Sequence, residues 1–360
     1  MFKVAQYLIS AQHQFNDGDA ATLRPLDTRG PGSAVASLLF LALALLRILK
    51  GRLGGRLAGV HVNTAERMSL LRKGSVVVTC WLLRVQVIIH LHAEMRTFYR
   101  GLPAAGQRLT RWMFSRAAGV IVIGTTGRRF VTEELGVPEE RIDVVENGVP
   151  GPATAPVPRQ PAPHAVQHVL FVGRMCDAKG VVDLLHGAAQ AHANGTPLRV
   201  TFAGGGDLER YAQLASSLGI ASITQFAGWC DEDAVRRLLG EASVLVLPSH
   251  DEVLPLVVLE ALAHGLPVIC TRVGELPHLF EDGVQVRFVP VRDPDALAAA
   301  LQETLSNPEL LRTLGANGRR MYEERFSMAR FFARIARVHG ARFGTSARSA
   351  AARAGSEVNA

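Results

Sequence analysis

The sequence predicts an α/β protein made of two Rossmann-like domains that face a cleft. Short β-branched segments alternate with helical ones in both halves of the chain, which is typical of parallel sheets covered by helices. A proline-rich segment and a change in charge coincide near the middle of the chain and mark a boundary. The length of 360 residues exceeds one ordinary domain and fits two of moderate size.

The N-terminal domain is predicted to span residues 1–149. Its predicted strands are residues 59–62, 85–91, 119–123 and 142–145. An apolar run at residues 34–46 precedes them and is shorter than the ~18–20 residues that a membrane-spanning helix needs. We interpret this run as a buried helix of the α/β layer. The alternative is a helix in the membrane interface, because four cations follow it closely: Arg47, Lys50, Arg52 and Arg56.

The C-terminal domain is predicted to span residues 166–325 and alternates more regularly. Its predicted strands are residues 168–172, 198–203, 223–226, 244–247, 267–271 and 286–289, and its helices include residues 180–194, 207–218, 231–241 and 293–305. Such alternation implies right-handed βαβ units and a parallel sheet buried on both faces. Ligands of these sheets bind beyond the carboxyl ends of the strands, so the chemistry is expected in the loops there.

Composition sets further limits on the chain. Six prolines within residues 150–163 predict a linker at residues 150–165. Residues 1–150 carry 19 Lys and Arg against 11 Asp and Glu, whereas the other 210 carry 20 against 21, so the positive charge belongs to the first domain. An Ala-, Ser- and Arg-rich tail at residues 344–360 is predicted to be disordered.

The class of partner and the compartment also follow from composition. The four cysteines form no C-x-x-C pair, which disfavours a zinc site or disulfide scaffold and favours a reducing compartment. No secretory signal is evident, so we expect a cytoplasmic protein. The basic domain contains no recognised nucleic-acid module, and nucleic acid is not an expected partner.

Two glycine-containing loops follow the first two strands of the second domain. In residues 171–180, Gly173 permits a tight turn, and Arg174 and Lys179 flank a helix start, where an anion is favoured. The alternative is a pair of solvated surface cations. In the next loop, Gly204 and Gly206 let the backbone approach a ligand closely. The G-x-G-x-x-G fingerprint is absent here, which argues against an oxidoreductase.

The segment at residues 247–277 carries two glutamates eight residues apart, Glu252 and Glu260. Glu252 falls in a loop after a strand, and Glu260 lies one turn inside a predicted helix. Carboxylates there suit the hydroxyls of a sugar ring and a ribose, and the N–H groups of Leu256 and Val257 suit a phosphate. The alternative interpretation is two ordinary surface glutamates.

These segments together resemble the glycosyltransferases of family 4, which are retaining enzymes of the GT-B fold. The G-R…K-G loop, the glycine turn, the two glutamates running into LEALAHGLPVI and the ending LRTLGANGRRMYEERFS recur in order over about residues 145–330. The segment ENG at residues 146–148 resembles the turn that precedes the family's linker. IIHLHAEMRTFYRG at residues 88–101 resembles its histidine loop, with His92 at the matching position.

The resemblance implies a hexosyltransferase of the EC 2.4 class that moves a sugar from a nucleotide-diphosphate donor to a polysaccharide or lipid-linked glycan. The implied roles are catalysis for Glu252 and His92, diphosphate binding for Arg174, Lys179, Leu256 and Val257, ribose binding for Glu260, and glycine turns at Gly173, Gly204 and Gly206. It also implies that a final helix, residues 326–343, packs back on the first domain.

No metal or other cofactor is expected, because two cations and a helix N-terminus can stabilise the departing diphosphate. The acidic pairs at residues 17–19 and 293–295 lie in turn-like segments away from the expected cleft. The expected acceptor is a glycan or a polyprenyl-diphosphate-linked sugar. The basic domain is expected to meet an anionic membrane surface, which would make the protein peripheral on the inner face of the cytoplasmic membrane.

The N-terminus departs from the family pattern. The family opens with a strand and a glycine-rich loop, but residues 1–20 contain only Gly18, and the nearest candidate is RGPGS at residues 29–33. Either that loop holds the donor diphosphate or the first β-α unit is missing. The second possibility motivates an alternative function, a non-catalytic protein that binds a nucleotide sugar or a partner enzyme.

Overall fold

A computed structural model describes residues 2–16, 22–30, 33–65, 68–152, 154 and 165–344. The chain divides into two compact units. Unit 1 comprises Met1–Gly148 and the C-terminal segment from Met328, and unit 2 comprises Val149–Ser327. Each unit contains one parallel sheet, so the predicted α/β class is confirmed.

The sheet of unit 1 has four strands in chain order, β1-β2-β3-β4. The elements up to residue 148 are α1 (Phe2–Phe15), α2 (Ala34–Leu53), β1 (Gly59–Thr64), α3 (Met68–Leu82), β2 (Gln86–Leu91), α4 (Arg96–Arg100), α5 (Ala104–Ser115), β3 (Gly119–Val122), α6 (Thr125–Glu133) and β4 (Ile142–Val144), with a 3₁₀ turn at Glu139–Arg141. Every residue of β3 is buried, as its run of apolar residues predicts for a central strand. The core of the unit lies between these strands, α3 and α5.

Among the described residues, no strand precedes β1, and α1 and α2 occupy that part of unit 1. The acidic pair at residues 17–19 lies outside the described residues, as do Pro31 and Gly32 of the RGPGS segment. The same holds for residues 345–360 of the predicted tail and for most of the predicted linker, residues 153 and 155–164.

The interpretation of residues 34–46 as a buried helix is wrong. Helix α2 forms, but its leucines include Leu38 and Leu46, which are 66% and 52% exposed. The buried residues on its other face include Ala44 and Ile48. A run that is apolar on every face is typical of a helix covered on all sides, and nothing in the local sequence shows which face is left uncovered.

Unit 2 contains a six-stranded parallel sheet in the order β10-β9-β8-β5-β6-β7. Its elements are β5 (Gln167–Val172), α7 (Val181–Ala193), β6 (Leu198–Ala203), α8 (Leu208–Ser217), β7 (Thr224–Gly228), α9 (Glu232–Glu241), β8 (Val244–Leu247), α10 (Leu256–Ala263), β9 (Val268–Thr271), α11 (Leu276–Leu279), β10 (Arg287–Val289), α12 (Pro294–Ser306) and α13 (Pro308–Met321). The 3₁₀ turns Asp177–Lys179 and Ala221–Ile223 and the π-helical turn Tyr322–Phe326 complete it.

Aspartates set the starts of three helices in unit 2. Asp207, Asp231 and Asp293 each accept a hydrogen bond from the backbone N–H three residues on, at 3.3, 2.8 and 2.9 Å. This bond satisfies one of the N–H groups that a first helical turn leaves unpaired. Asp293, part of the acidic pair at residues 293–295, therefore serves as the cap of α12.

The last helix, α14 (Met328–Phe343), belongs to unit 1. Arg342 donates to the carboxylate of Asp143, a residue of β4, at 3.0 Å. Arg334 forms an ion pair with Glu146, which is only 7% exposed. A carboxylate so little exposed depends on its cation, so these pairs hold α14 on unit 1.

Of the helices in the described segments, none combines the length and the apolar character that crossing a bilayer requires.

Candidate functional site

The sheet of unit 2 reverses its direction of growth between β5 and β8. From β5 the chain passes through α7 to β6 on one side, and it returns as β8 on the other side of β5. At such a switch point the loops after the two central strands diverge and leave a crevice that binds ligands. Here these are the loop of residues 173–180 after β5 and the loop of residues 248–255 after β8.

Two of the predicted site residues meet across this switch point. The Lys179 ammonium forms an ion pair with Oε1 of Glu252, and the side chains are 29% and 14% exposed. The Ser249 hydroxyl donates to the same carboxylate oxygen at 3.2 Å. The two loops are thus joined by a partly buried charge pair, in which Glu252 is held by two donors.

The turn that carries Lys179 is held in place by its neighbours. Asp177 accepts hydrogen bonds from Arg210 at 2.9 Å and from the Tyr211 hydroxyl at 2.7 Å. The bond from Arg210, followed by that from Tyr211, lowers the pKa of the Asp177 carboxyl. Burial and then the bond to Asp177 raise the pKa of Tyr211 to about 12, so the phenol remains a donor. Arg174 is exposed on the same loop.

Glycines bring the backbones of these loops together, and two of them escaped sequence reasoning. Gly180 has φ +70°, and a Cβ there would lie 2.0 Å from the carbonyl oxygen of Pro248. Gly274 has φ +56°, and a Cβ there would lie 2.2 Å from the carbonyl oxygen of Glu252. Both positions need glycine for conformation and for space. The sequence signals that could have identified them are the glycine directly after Lys179 and the glycine within TRVGELP.

The glycine turn after β6 lies against the start of the β5 loop. A Cβ on Gly204, with φ +152°, would lie 1.8 Å from the carbonyl oxygen of Gly173, and one on Gly206 would lie 2.3 Å from that of Met175. Gly173 forms a bend directly after β5 without a positive φ. Its carbonyl receives the close approach of Gly204.

The first turn of α10 opens at the same switch point. Pro255 precedes Leu256 and Val257, whose N–H groups belong to the turn that has no acceptor within the helix. Glu260 is the fifth residue of α10, about 6 Å further along its axis, and is 8% exposed. The positive end of the helix dipole and two N–H groups thus follow directly on the loop that carries Glu252.

In unit 1, the candidate His92 follows β2 and is half-buried. Its Nε2 lies 2.7 Å from Oδ1 of Asn63, an acceptor, so the ring donates there and leaves Nδ1 with a lone pair. The His92 ring stacks on that of His90, with centroids 3.9 Å apart.

His92 is the half-buried end of a row of imidazoles that the sequence did not reveal. His339 Nε2 lies 2.8 Å from His61 Nδ1, and His61 Nε2 lies 3.2 Å from His90 Nδ1. We call His339, His61, His90 and His92 the histidine chain. Burial lowers the pKa of all four, to about 4 for His339 and about 3 for His92, so the rings are neutral at pH 7.

Comparison with known proteins bears on this arrangement. Residues 8–148 match the glycosyl transferase 4-like domain, and residues 158–321 match the glycosyl transferases group 1 domain. The chain belongs to the group 1 glycosyltransferases. The family expected from the sequence motifs is therefore confirmed.

Curated relatives of this group 1 glycosyltransferase cover part of it. A D-inositol 3-phosphate glycosyltransferase of Streptomyces bingchenggensis is 35% identical over 180 residues, which are 47% of this chain and 39% of the relative. An MMP alpha-(1->4)-mannosyltransferase of Mycolicibacterium hassiacum is 30% identical over 214 residues, 58% of this chain and 50% of the relative. The chain thus spans about half or less of the length of these relatives.

Solved structures show the fold. Anabaena HepE in complex with UDP-glucose superposes with a TM-score of 0.72 at 16% identity, covering 94% of this chain and 96% of HepE. The predicted GT-B fold of this group 1 glycosyltransferase is therefore confirmed.

Proposed function

We propose that this protein is a retaining hexosyltransferase that moves a sugar from a nucleotide-diphosphate donor to a hydroxyl of a glycan or polyprenyl-diphosphate-linked acceptor. The observation that carries the proposal is the Lys179–Glu252 pair at the β5/β8 switch point, directly before the N-terminus of α10. A cation and a helix N-terminus at this crevice suit the diphosphate of such a donor, and the carboxylate beside them suits its sugar hydroxyls.

When the donor binds, Lys179 and Glu252 each leave the ion pair for a part of the donor. Lys179 turns from Glu252 to the diphosphate, together with Arg174 and the N–H groups of Leu256 and Val257. Glu252 is then released to accept hydrogen bonds from the sugar hydroxyls, and the Ser249 hydroxyl keeps it in place. Without a donor, the charge of Glu252 is therefore compensated by Lys179. Only a ligand with both an anionic and a hydroxylated part supplies new partners for Lys179 and Glu252.

The remaining assignments follow the family resemblance. Glu260 binds the ribose hydroxyls, and in unit 1 His92 contacts the donor sugar. Because Asn63 holds the Nε2–H of His92, the ring offers the Nδ1 lone pair, which accepts from a hydroxyl. The neutral state of His92 at pH 7 is required for this role.

The reaction needs a stabilised leaving group. The bond between the anomeric carbon and the diphosphate oxygen lengthens as negative charge grows on the diphosphate, where Arg174, Lys179 and the α10 N–H groups stabilise it. The acceptor hydroxyl attacks the oxocarbenium-like centre on the face that the diphosphate leaves, and its proton passes to a diphosphate oxygen. The configuration at the anomeric carbon is retained, and we propose that no metal is required.

The four free cysteines support the proposed cytoplasmic location, since unpaired thiols persist in a reducing compartment.

The proposal is tested by turnover with a panel of nucleotide sugars and polyprenyl-diphosphate-linked glycans, with nucleoside diphosphate release read by mass spectrometry. Glu252→Gln keeps the shape of the side chain but removes its charge, and we expect turnover to fall at least 100-fold. The matched control is Glu241→Gln, an exposed glutamate of unit 2, which should retain full turnover. Full turnover in Glu252→Gln contradicts the proposal.

Three other measurements test catalysis, retention of configuration and metal independence separately. Donor binding without release for every acceptor supports the non-catalytic alternative. An inverted anomeric centre in the product, read by NMR, contradicts retention. Loss of turnover after chelation, restored by a divalent cation, contradicts the metal-free mechanism.

A further inference from the structure

The surface of α2 exposes a row of large apolar side chains. These leucines share one exposed side of the helix and are Leu38, Leu39, Leu43, Leu46 and Leu53, at 66, 62, 44, 52 and 79% exposure. Positions 39, 43, 46 and 53 recur at intervals of four, three and seven, which places them on one side of a helix. An uncovered apolar row of this kind marks a surface that binds something apolar.

Exposed cations follow the leucines on the same helix. Arg47, Lys50 and Arg52 lie in its C-terminal part, and Arg56 lies just beyond it. Residues 28–132 contain 16 Lys and Arg but only two acidic residues, Glu66 and Glu94. No described carboxylate forms an ion pair with any of these four cations, so none of the described acidic residues compensates their charge.

A tryptophan pair extends the surface at the end of α3. The Arg52 guanidinium donates to the carbonyl oxygen of Leu83 at 3.1 Å, which fixes the end of α2 beside the end of α3. There Trp81 is 47% exposed and meets Trp112 edge to face, with centroids 5.5 Å apart. The Arg116 guanidinium lies 5.7 Å from both rings. Tryptophan beside arginine is the combination that favours the headgroup level of a bilayer.

We propose that the exposed leucines and cations of α2, with Trp81, form a docking surface for an anionic lipid bilayer. We call this set the α2 face. The helix lies in the plane of the membrane, with its leucines at the boundary of the acyl chains and its cations on the anionic headgroups. The apolar residues 34–46 would extend about 20 Å as a helix, short of the ~30 Å hydrocarbon core, so the helix lies on the bilayer.

The positive charge of the α2 face favours an anionic bilayer over a second copy of the chain as its partner. Two copies joined through the α2 face would bring two uncompensated cationic helices together, and like charges across an interface oppose binding. An anionic bilayer supplies the opposite charge and the apolar layer at once. It also needs no fixed side-chain shape, which suits leucines spread along one helix.

Binding to vesicles without donor or acceptor tests this proposal separately from turnover. The triple variant Leu39→Gln, Leu43→Gln, Leu46→Gln alters exposed side chains, and we expect roughly a 100-fold loss of affinity for phosphatidylglycerol-containing vesicles. The triple variant Arg47→Gln, Lys50→Gln, Arg56→Gln should lose a similar factor on these vesicles and little on vesicles of phosphatidylcholine alone. The matched control is Trp229→Gln, an exposed apolar residue of unit 2, which should bind as the unaltered protein does.

A second measurement leaves the α2 face intact. In the Trp229→Phe variant the remaining tryptophans are Trp81 and Trp112, and brominated phosphatidylglycerol vesicles should quench the fluorescence of Trp81. Absence of quenching, or equal vesicle binding by the leucine variant and the unaltered protein, overturns the proposal. A dimer in solution that the leucine variant converts to a monomer, without vesicle binding, assigns the α2 face to a second copy instead.

Discussion

The close approach of Gly204 to Gly173 gives a sharp prediction about the stability of unit 2. In Gly204→Ala the new Cβ would lie 1.8 Å from the Gly173 carbonyl oxygen, whereas real Cβ contacts do not fall below 3.0 Å. The backbones must separate by about 1.2 Å, which breaks the bonds from Gly173 N–H to Ala203 O at 3.0 Å and from Gly204 N–H to Gly228 O at 2.7 Å. Backbone strain of about 1–3 kcal/mol and two hydrogen bonds of about 1 kcal/mol each amount to about 3–5 kcal/mol.

Calorimetry and hydrogen exchange measure this effect. For a unit of this size, about 3–5 kcal/mol lowers the Tm by roughly 10 °C. Exchange in the β5 and β6 peptides should speed up accordingly, while exchange in β2 and β3 of unit 1 should not change. The control is Gly205→Ala, where the Cβ meets nothing within 4 Å and φ is not positive, so stability should change by less than about 0.5 kcal/mol. Equal stability of the two variants would refute the steric argument.

Three further predictions concern other contacts. Gly180→Ala should lower the affinity for UDP-sugars at least tenfold, measured by calorimetry, because the new Cβ forces the two switch-point loops apart. The control is Gly195→Ala, which also has a positive φ but open space around the new Cβ, and it should retain affinity. Equal losses in the two variants would contradict this. Arg334→Ala should destabilise unit 1 by about 3 kcal/mol in urea melts, because it removes a cation from a buried carboxylate. The exposed Arg337→Ala should cost less than about 0.5 kcal/mol, and equal losses would contradict this. The free energy of unfolding of unit 1 should be insensitive to the histidine chain above about pH 7.5. It should fall by up to about 1.4 kcal/mol per pH unit per histidine as the pH drops towards 4, because the unfolded rings take up protons and the folded ones, whose pKa is lowered, do not. A flat profile of urea melts against pH would contradict the burial argument.

Local patterns were sufficient for the strands, whereas the helix α1 at Phe2–Phe15 was not predicted. Every predicted strand forms, with ends shifted by at most two residues, because β-branched runs between turn residues leave few alternatives. The helices predicted at residues 207–218 and 231–241 begin at Leu208 and Glu232, directly after their aspartate caps, because capping is decided within four residues. The candidate residues Lys179 and Glu252 came from motif order, and the structure pairs them.

Contacts between distant segments were beyond the sequence. The requirement for glycine at Gly180 depends on a carbonyl 68 residues away, at Pro248, and the histidine chain joins residues 278 positions apart. The exposure of α2 likewise depends on which neighbours reach it, and its composition is the same for a covered and an uncovered helix. Such features require knowledge of packing, because spacing along the chain carries no record of them.

The assembly of unit 1 from both ends of the chain has a consequence for biosynthesis. Residues 149–327 emerge from the ribosome before Met328, so all of unit 2 is available to fold while unit 1 still lacks α14. Until then Gly59 of β1 has no Phe343 ring against it, and Glu146 has no Arg334. N-terminal domains are usually completed first during synthesis, but in this chain unit 2 is complete before unit 1. The nascent N-terminal unit lacks its last helix for the time needed to translate about half of the protein.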